Sequence, residues 1–305
     1  MPSKSLQALT TGLIDYAGLF PPASLSLAPA IQNYAHYIQS HDRWMLARFI
    51  IPANRLADLS DELMALFSAE YPLYLSLICP NLPDDLALIQ SFATKYKDKI
   101  RLDIIETRLP VAGDLAQHVA NTAVSIQASG LPLRPFYELP FNKTWDDKLE
   151  TAVSVLATHN QQAETAVGFK LRCGGVEAHM FPSPSQVTRA ILLCRGYGVA
   201  MKATAGLHHP VRHFDESVNT KMHGFLNVFG GGLLANHLQL DHATLQKIIE
   251  DENPASFQFN DQTFAWKDLS IDLSHIETYR QSGLTSYGSC SFDEPREDLQ
   301  SLGLL

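Results

Sequence analysis

Two lysines set the chemical question. Val167-Gly168-Phe169-Lys170-Leu171-Arg172-Cys173-Gly174-Gly175 and Val199-Ala200-Met201-Lys202-Ala203-Thr204-Ala205-Gly206-Leu207-His208-His209-Pro210 are apolar runs that each carry one lysine and run into glycine. On an extended chain alternate side chains share a face, so Lys170 goes with Arg172 and Lys202 with Thr204. Burial disfavours the ammonium form of a lysine, and a second cation nearby lowers its pKa further. A neutral amine of that kind attacks a carbonyl and forms a Schiff base. Asp103 or Glu138 would then move protons during carbinolamine formation and carbon–carbon cleavage. The structural alternative is that both lysines form ion pairs with Asp103, Glu106 or Glu138.

The elements that must position these residues follow from periodicity. Residues 12–20 read as a short strand holding Asp15 and stopped by Pro21-Pro22, and 25–40 repeat apolar residues at helical spacing. The same strand–helix unit recurs over 44–51 and 53–67, 71–79 and 86–96, 100–107 and 115–128, and 133–139 and 148–158. Lys170 and Lys202 then lie on strands six and seven, with a helix over 185–195 whose start is signalled by Ser183-Pro184. The seventh crossover, 211–217, is expected as a loop. Residues 224–229 are expected as the eighth strand, running into Gly230-Gly231-Gly232 and an apolar helix. Eight alternating units are the arithmetic of an α/β fold, the (β/α)8 TIM barrel, over residues 1–252. Residues 253–305 are expected as a C-terminal extension packed on it. It comprises a hairpin over 256–266, a short helix over 274–280, and a tail including 287–291 that lies on the surface or over the barrel mouth.

Composition narrows the class. The chain has 305 residues, 46% hydrophobic and 18% charged, with a formal net charge of -9, which argues against nonspecific nucleic-acid binding. Its 4 cysteines lack CxxC spacing, so neither a disulfide framework nor a cysteine-based zinc site is suggested. No run reaches membrane-span length and no leader is evident, so a cytoplasmic enzyme acting on a small molecule is expected, with homo-oligomerisation left open.

In this architecture the active site forms at the C-terminal ends of the strands. The polar candidates there are Asp15, Arg48, Asp103, Glu106, Glu138, Lys170, Arg172, Lys202, Thr204, His208 and His209. Their ordered contexts resemble the deoxyribose-phosphate aldolase family, class I aldolases built on a (β/α)8 barrel. That family has a Schiff-base lysine on strand six and a second lysine, in a Lys-x-x-Gly-Gly context, on strand seven. Lys170 and Lys202, the latter in Lys-Ala-Thr-Ala-Gly, stand in the matching places. The opening Leu13-Ile14-Asp15-Tyr16-Ala17-Gly18-Leu19-Phe20-Pro21-Pro22-Ala23 is similar to the family's first strand. Leu102-Asp103-Ile104-Ile105 is similar to its fourth strand, whose aspartate is the proton shuttle. Leu133-Arg134-Pro135-Phe136-Tyr137-Glu138 is similar to its fifth, with arginine in place of lysine.

The resemblance spans residues 12–235 and implies a cofactor-free Schiff-base lyase. Lys170 would be the nucleophile, Lys202 the modulator of its pKa, Asp103 the proton shuttle and Glu138 a second acid. The family binds substrate phosphate with glycine and serine backbone groups after strands seven and eight. Here Leu207-His208-His209-Pro210 and Asn227-Val228-Phe229-Gly230-Gly231-Gly232 occupy those places, and the serines are absent. Glycine amides ahead of a helix still suit an anion, so Asn227, Gly230 and Gly231 join Asp15, Arg48, Arg172, Thr204, His208 and His209 as substrate-binding candidates. The expected substrate is a small aldehyde, keto acid or sugar-like compound. Two rivals stand beside this reading. One is a metal-dependent barrel hydrolase or lyase using His208 and His209, with His213, His223 and a carboxylate nearby; adjacent histidines on an extended chain point apart, which counts against it. The other is a barrel that only binds a ligand.

Overall fold

The computed structural model describes residues 2–305. A helix, α1 (Lys4–Thr10), precedes the first strand, and the chain then alternates. In order come β1 (Ile14–Tyr16), α2 (Leu27–Tyr37), β2 (Leu46–Pro52), α3 (Asp61–Met64), β3 (Leu73–Ile78), α4 (Leu82–Lys95), β4 (Ile100–Arg108), α5 (Leu115–Ser129) and β5 (Arg134–Glu138). Then follow α6 (Trp145–Asn160), β6 (Gly168–Arg172), α7 (Pro184–Tyr197) and β7 (Ala200–Thr204). The helices form where apolar residues recur on one face: α2 buries Leu27, Ala30, Ile31, Tyr34 and Ala35 against the barrel. The Ser183-Pro184 signal becomes a capping box, with Ser183 and Gln186 satisfying each other's backbone amides. Helix α7 ends at Gly198, φ +66°, a left-handed position that suits glycine. The second crossover is broken rather than one helix over 53–67, because the Ser60 side chain accepts from the Leu63 amide and starts α3 afresh.

The seventh crossover is not the open loop expected over 211–217. It forms a small antiparallel hairpin, β8 (His213–Asp215) with β9 (Thr220–Met222). Residues 224–229 are not a strand either. Leu226–Gly230 make a π-helical turn that runs directly into α8 (Gly231–Leu238). A short apolar run is ambiguous between buried strand and buried helix, and here the apolar sequence continues to Leu234 and Ala235 with no breaking turn. The glycines allow close packing: a Cβ on Gly230 would meet the Phe264 ring at 2.6 Å, and one on Gly232 would meet Leu284 at 2.6 Å.

The missing strand comes from the segment expected as an extension. After α9 (His242–Glu250), β10 (Phe257–Phe259), β11 (Thr263–Trp266) and β12 (Leu269–Asp272) form a three-stranded antiparallel sheet that includes the expected hairpin. Helix α10 (Leu273–Ser282), β13 (Leu284–Ser289) and α11 (Asp293–Ser301) complete the chain. The closed barrel runs β1-β13-β7-β6-β5-β4-β3-β2, with every neighbour parallel. Residues 284–289 are therefore a barrel strand rather than a tail or lid, and a boundary at residue 252 would cut through the last βα unit. The buried Arg280 fastens this closure by donating to the carbonyls of Leu9 at 2.7 Å and Thr11 at 2.9 Å, and to those of Leu284 and Thr285. Among the described residues no helix is long and apolar enough to cross a membrane.

Candidate active site

Register brings the two lysines together. Glu138 on β5, Lys170 on β6 and Lys202 on β7 are successive Cα partners across the ladder, so their side chains enter the barrel side by side. Below them Ile104, Phe136 and Ala200 form a small apolar cluster. Above that plug, charges alternate along one row. Lys202 Nζ meets Asp15 Oδ2 at 2.9 Å and also Glu106; Glu106 Oε2 meets Lys170 Nζ at 2.7 Å. Lys170 Nζ meets Glu138 Oε2 at 2.8 Å, and Glu138 Oε1 meets Arg172 Nε at 3.1 Å. Hydroxyls complete the shell: Ser76 donates to Glu106 at 2.7 Å and Ser286 to Asp15 at 2.6 Å. Each buried charge thus has an opposite partner, the condition under which burial is tolerated.

This pairing sets the protonation states. Burial alone would lower the Lys170 pKa, but the Glu106 and Glu138 carboxylates outweigh it and hold it above the ordinary lysine value. Burial alone would raise Glu106 and Glu138, yet Lys170 with Lys202, and Lys170 with Arg172, hold them below the usual carboxylate range. At neutral pH Lys170 is an ammonium between carboxylates. The expectation that Lys202 depresses the Lys170 pKa fails for a geometric reason: Glu106 contacts both nitrogens and offsets the repulsion between them.

The row opens at one end. A cavity of about 930 Å³ sits at the C-terminal ends of the strands, with Glu106, Glu138, Lys170 and Arg172 in its floor and wall, joined by Thr204 and His208. Phe20, Pro22, Leu82 and Met180 supply apolar surface around its mouth. Lys170 is 6% exposed and lines the cavity; Lys202 is 0% exposed and does not. The size suits an ordinary small-molecule ligand.

Several expected site residues lie elsewhere. Asp103 sits half-exposed towards the N-terminal ends of the strands, where its carboxylate accepts from Arg48 Nε at 2.7 Å. Both line a separate pocket with Gly12, Arg134 and Arg280. The cause is a β-bulge: Leu102 pairs with Leu75 and Ile104 with Ser76, leaving Asp103 as the extra residue and shifting the alternation beyond it. Glu106 takes the place beside the lysines that Asp103 was expected to fill. Arg48 reaches the row only from below, 3.6 Å from Asp15 Oδ1, while its backbone amide donates to the same oxygen at 3.1 Å. Asp15 itself is fully buried under the cavity as the partner of Lys202.

The glycine-rich anion site does not form. Gly230 and Gly231 lie within continuous helix, packed against Phe264 and Ile248 respectively. Asn227 is a structural clamp: it accepts from the Arg212 amide at 2.8 Å and donates to the carbonyls of Ile248 at 2.7 Å and Asp251 at 2.8 Å. His208 and His209 diverge, so they do not chelate one ion together. His208 turns to Ser289, Cys290 and Glu294, whereas His209 Nδ1 meets Asp298 Oδ2 at 2.6 Å. His223 is buried against the Pro182 carbonyl at 2.8 Å.

Glu106, Ser76 and Ser286 are the site residues that sequence reasoning left out or ranked low. Glu106 carries the clearest signal, an acid directly after Ile104-Ile105 towards the end of a strand.

No protein-family model matches the chain, and no curated protein matches it. Among solved structures it is similar to apo-MsnO8, at 11% identity and a TM-score of 0.42 over 97% of each chain. The architecture itself defines the class: a closed, all-parallel eight-stranded (β/α)8 barrel with a charged cavity at its C-terminal face. Enzymes on this fold carry their active sites at that end.

Proposed function

We propose that this protein is a lyase of the Schiff-base type, with Lys170 as nucleophile and Glu138 as its proton partner. The observation that carries the reading is a lysine at a cavity floor, 2.8 Å from a carboxylate that is itself 3.1 Å from an arginine. Glu138 would take a proton from the Lys170 ammonium, and the freed amine lone pair would attack a substrate carbonyl carbon. A proton passes from the attached nitrogen to the alkoxide oxygen to give the carbinolamine, and Glu138 returns its proton to that hydroxyl, which leaves as water and generates an iminium. The iminium accepts the electron pair of the bond between its α and β carbons as that bond breaks to give an enamine. The unprotonated Glu138 takes the β-hydroxyl proton, and the β carbon leaves as a carbonyl product. Protonation of the enamine by Glu138 and hydrolysis then free Lys170. Arg172 is positioned for an anionic group on the substrate, and the apolar mouth for a less polar body. The resemblance to the deoxyribose-phosphate aldolases supports the nucleophile, with Glu138 and Glu106 in place of Asp103 as the acids at hand.

Borohydride reduction in the presence of a panel of aldehydes and keto acids tests this. A stable adduct on the peptide containing Lys170, absent from Lys170→Ala, is the expected result. An adduct that survives Lys170→Ala, or none with any member of the panel, overturns it.

A further inference from the structure

We propose that His208, Cys290 and Glu294 form a site for a divalent transition metal, zinc being the ion their chemistry suits best, on the wall of the cavity. His208 follows β7, Cys290 comes directly after the neighbouring strand β13, and Glu294 lies in the first turn of α11. One ligand atom from each lies within 4.8 Å of the others.

The three donor atoms stand at coordination spacing, with Ser289 Oγ also 3.3 Å from His208 Nδ1. His208 Nδ1 is 3.7 Å from Cys290 Sγ and 3.6 Å from Glu294 Oε2. The second separation exceeds hydrogen-bond reach. With zinc bonds of about 2.0 to 2.1 Å to nitrogen and oxygen and about 2.3 Å to sulfur, a tetrahedron places such atoms roughly 3.3 to 3.6 Å apart. Two other histidine groups contrast with it. His209 and His275 each spend Nδ1 on a carboxylate, Asp298 at 2.6 Å and Asp272 at 2.7 Å, which are ordinary hydrogen bonds.

The donor set also suits the surroundings. A thiolate and a carboxylate together balance a divalent ion, which leaves a neutral site beside a cavity wall. His208 and Cys290 both line the cavity, so a fourth position would face the space in front of Lys170. Three protein ligands and one open position is the pattern of a catalytic rather than structural zinc site. The open position would take water or an oxygen of the ligand. The inference does not depend on the Schiff-base reading.

Cobalt(II) titration of chelator-treated full-length protein tests it. One ion per chain by metal analysis and a thiolate-to-cobalt charge-transfer band are expected. That band disappears in Cys290→Ser, and binding is lost in His208→Ala but kept in His213→Ala. Glu294→Gln, at a half-exposed side chain, weakens binding by more than about tenfold and keeps the test decisive if the buried variants fail to fold. Cobalt binding without a thiolate band, unchanged affinity in Glu294→Gln, or loss of binding in His213→Ala alone overturns the proposal.

Discussion

Lys170 and Lys202 are Cα partners on adjacent strands, with the same residue type and the same inward face, yet they serve different ends. Lys202 is sealed between Asp15 and Glu106, with Ser76 Oγ 3.3 Å away, and reaches no cavity. Lys170 shares Glu106 with it but has Glu138 and open space on its other side. The difference comes from strand neighbours rather than from the lysines. The strand after β7 in the barrel is β13, which brings Ser286 to Asp15 and closes the interior over Lys202. The neighbour of β6 on its other side is β5, which brings an acid instead. One lysine holds the barrel together, and the other is available to a ligand.

Removing Lys202 gives the largest effect on stability. Lys202→Met leaves Asp15 without its lysine partner and Glu106 with only one, and breaking a buried pair costs about 3–5 kcal/mol. Urea unfolding of Lys202→Met and Lys170→Met measures the contrast. The loss is smaller for Lys170→Met, because Glu106 keeps Lys202 and Glu138 keeps Arg172. Equal losses would erase the distinction between the two positions.

The comparison also shows what a sequence discloses. Strands one to seven were legible because each is an apolar run ended by glycine, proline or a polar turn and followed by helical periodicity. Their order alone put Lys170 beside Lys202. The eighth strand was not, because an all-apolar stretch over 224–235 imitates a buried strand, while Leu284–Ser289 is short and rich in small polar residues. Asp103 was misplaced because a four-residue resemblance to another fourth strand cannot see a bulge, and one extra residue reverses which side chains face inward. Glu294 and Cys290 come to His208 only through the barrel's closure, a contact between distant parts of the chain that leaves no local pattern.

Glu138 gives the next largest effect. Trapping requires the neutral amine, and Lys170 has a raised pKa, so the adduct-forming rate is expected to climb with pH on its alkaline limb. Glu138→Gln removes one of the two carboxylates that raise this pKa, which moves the limb to lower pH. It also removes the proton partner, lowering the plateau by about 10²-fold. A rate profile with an unmoved limb would show that Glu138 does not set the charge of Lys170.

Acid titration separates the paired row from ordinary surface charge. The folded-state pKa values of Glu106 and Glu138 lie below their ordinary 4.5. Their stabilising contribution is therefore complete above about that pH and is lost as pH falls through the depressed values. Lys170 acts in the opposite direction, its contribution being present below 10.5 and lost as pH rises through its raised value. Denaturation of Glu106→Gln followed down through the acid range is expected to show a flatter decline than the parent, starting from a lower plateau. A decline as steep as the parent's would place the acid sensitivity outside this row.

The smallest effect is expected at the residue that the fourth-strand motif singled out. Asp103 pairs with Arg48 at a half-exposed position, and such pairs contribute about 0–1 kcal/mol. Asp103→Asn keeps the side chain's shape and removes only its charge. Between Asp103 and the cavity stand Arg48, Asp15, Lys202 and Glu106, each already partnered along the row. Adduct formation at Lys170 is accordingly expected to keep its rate and pH profile in this variant, measured by the same borohydride trapping. A large loss of rate in a stably folded Asp103→Asn protein would mean that charge at the N-terminal face governs the far end of the row. The proton partner would then have to be sought along that row rather than at Glu138.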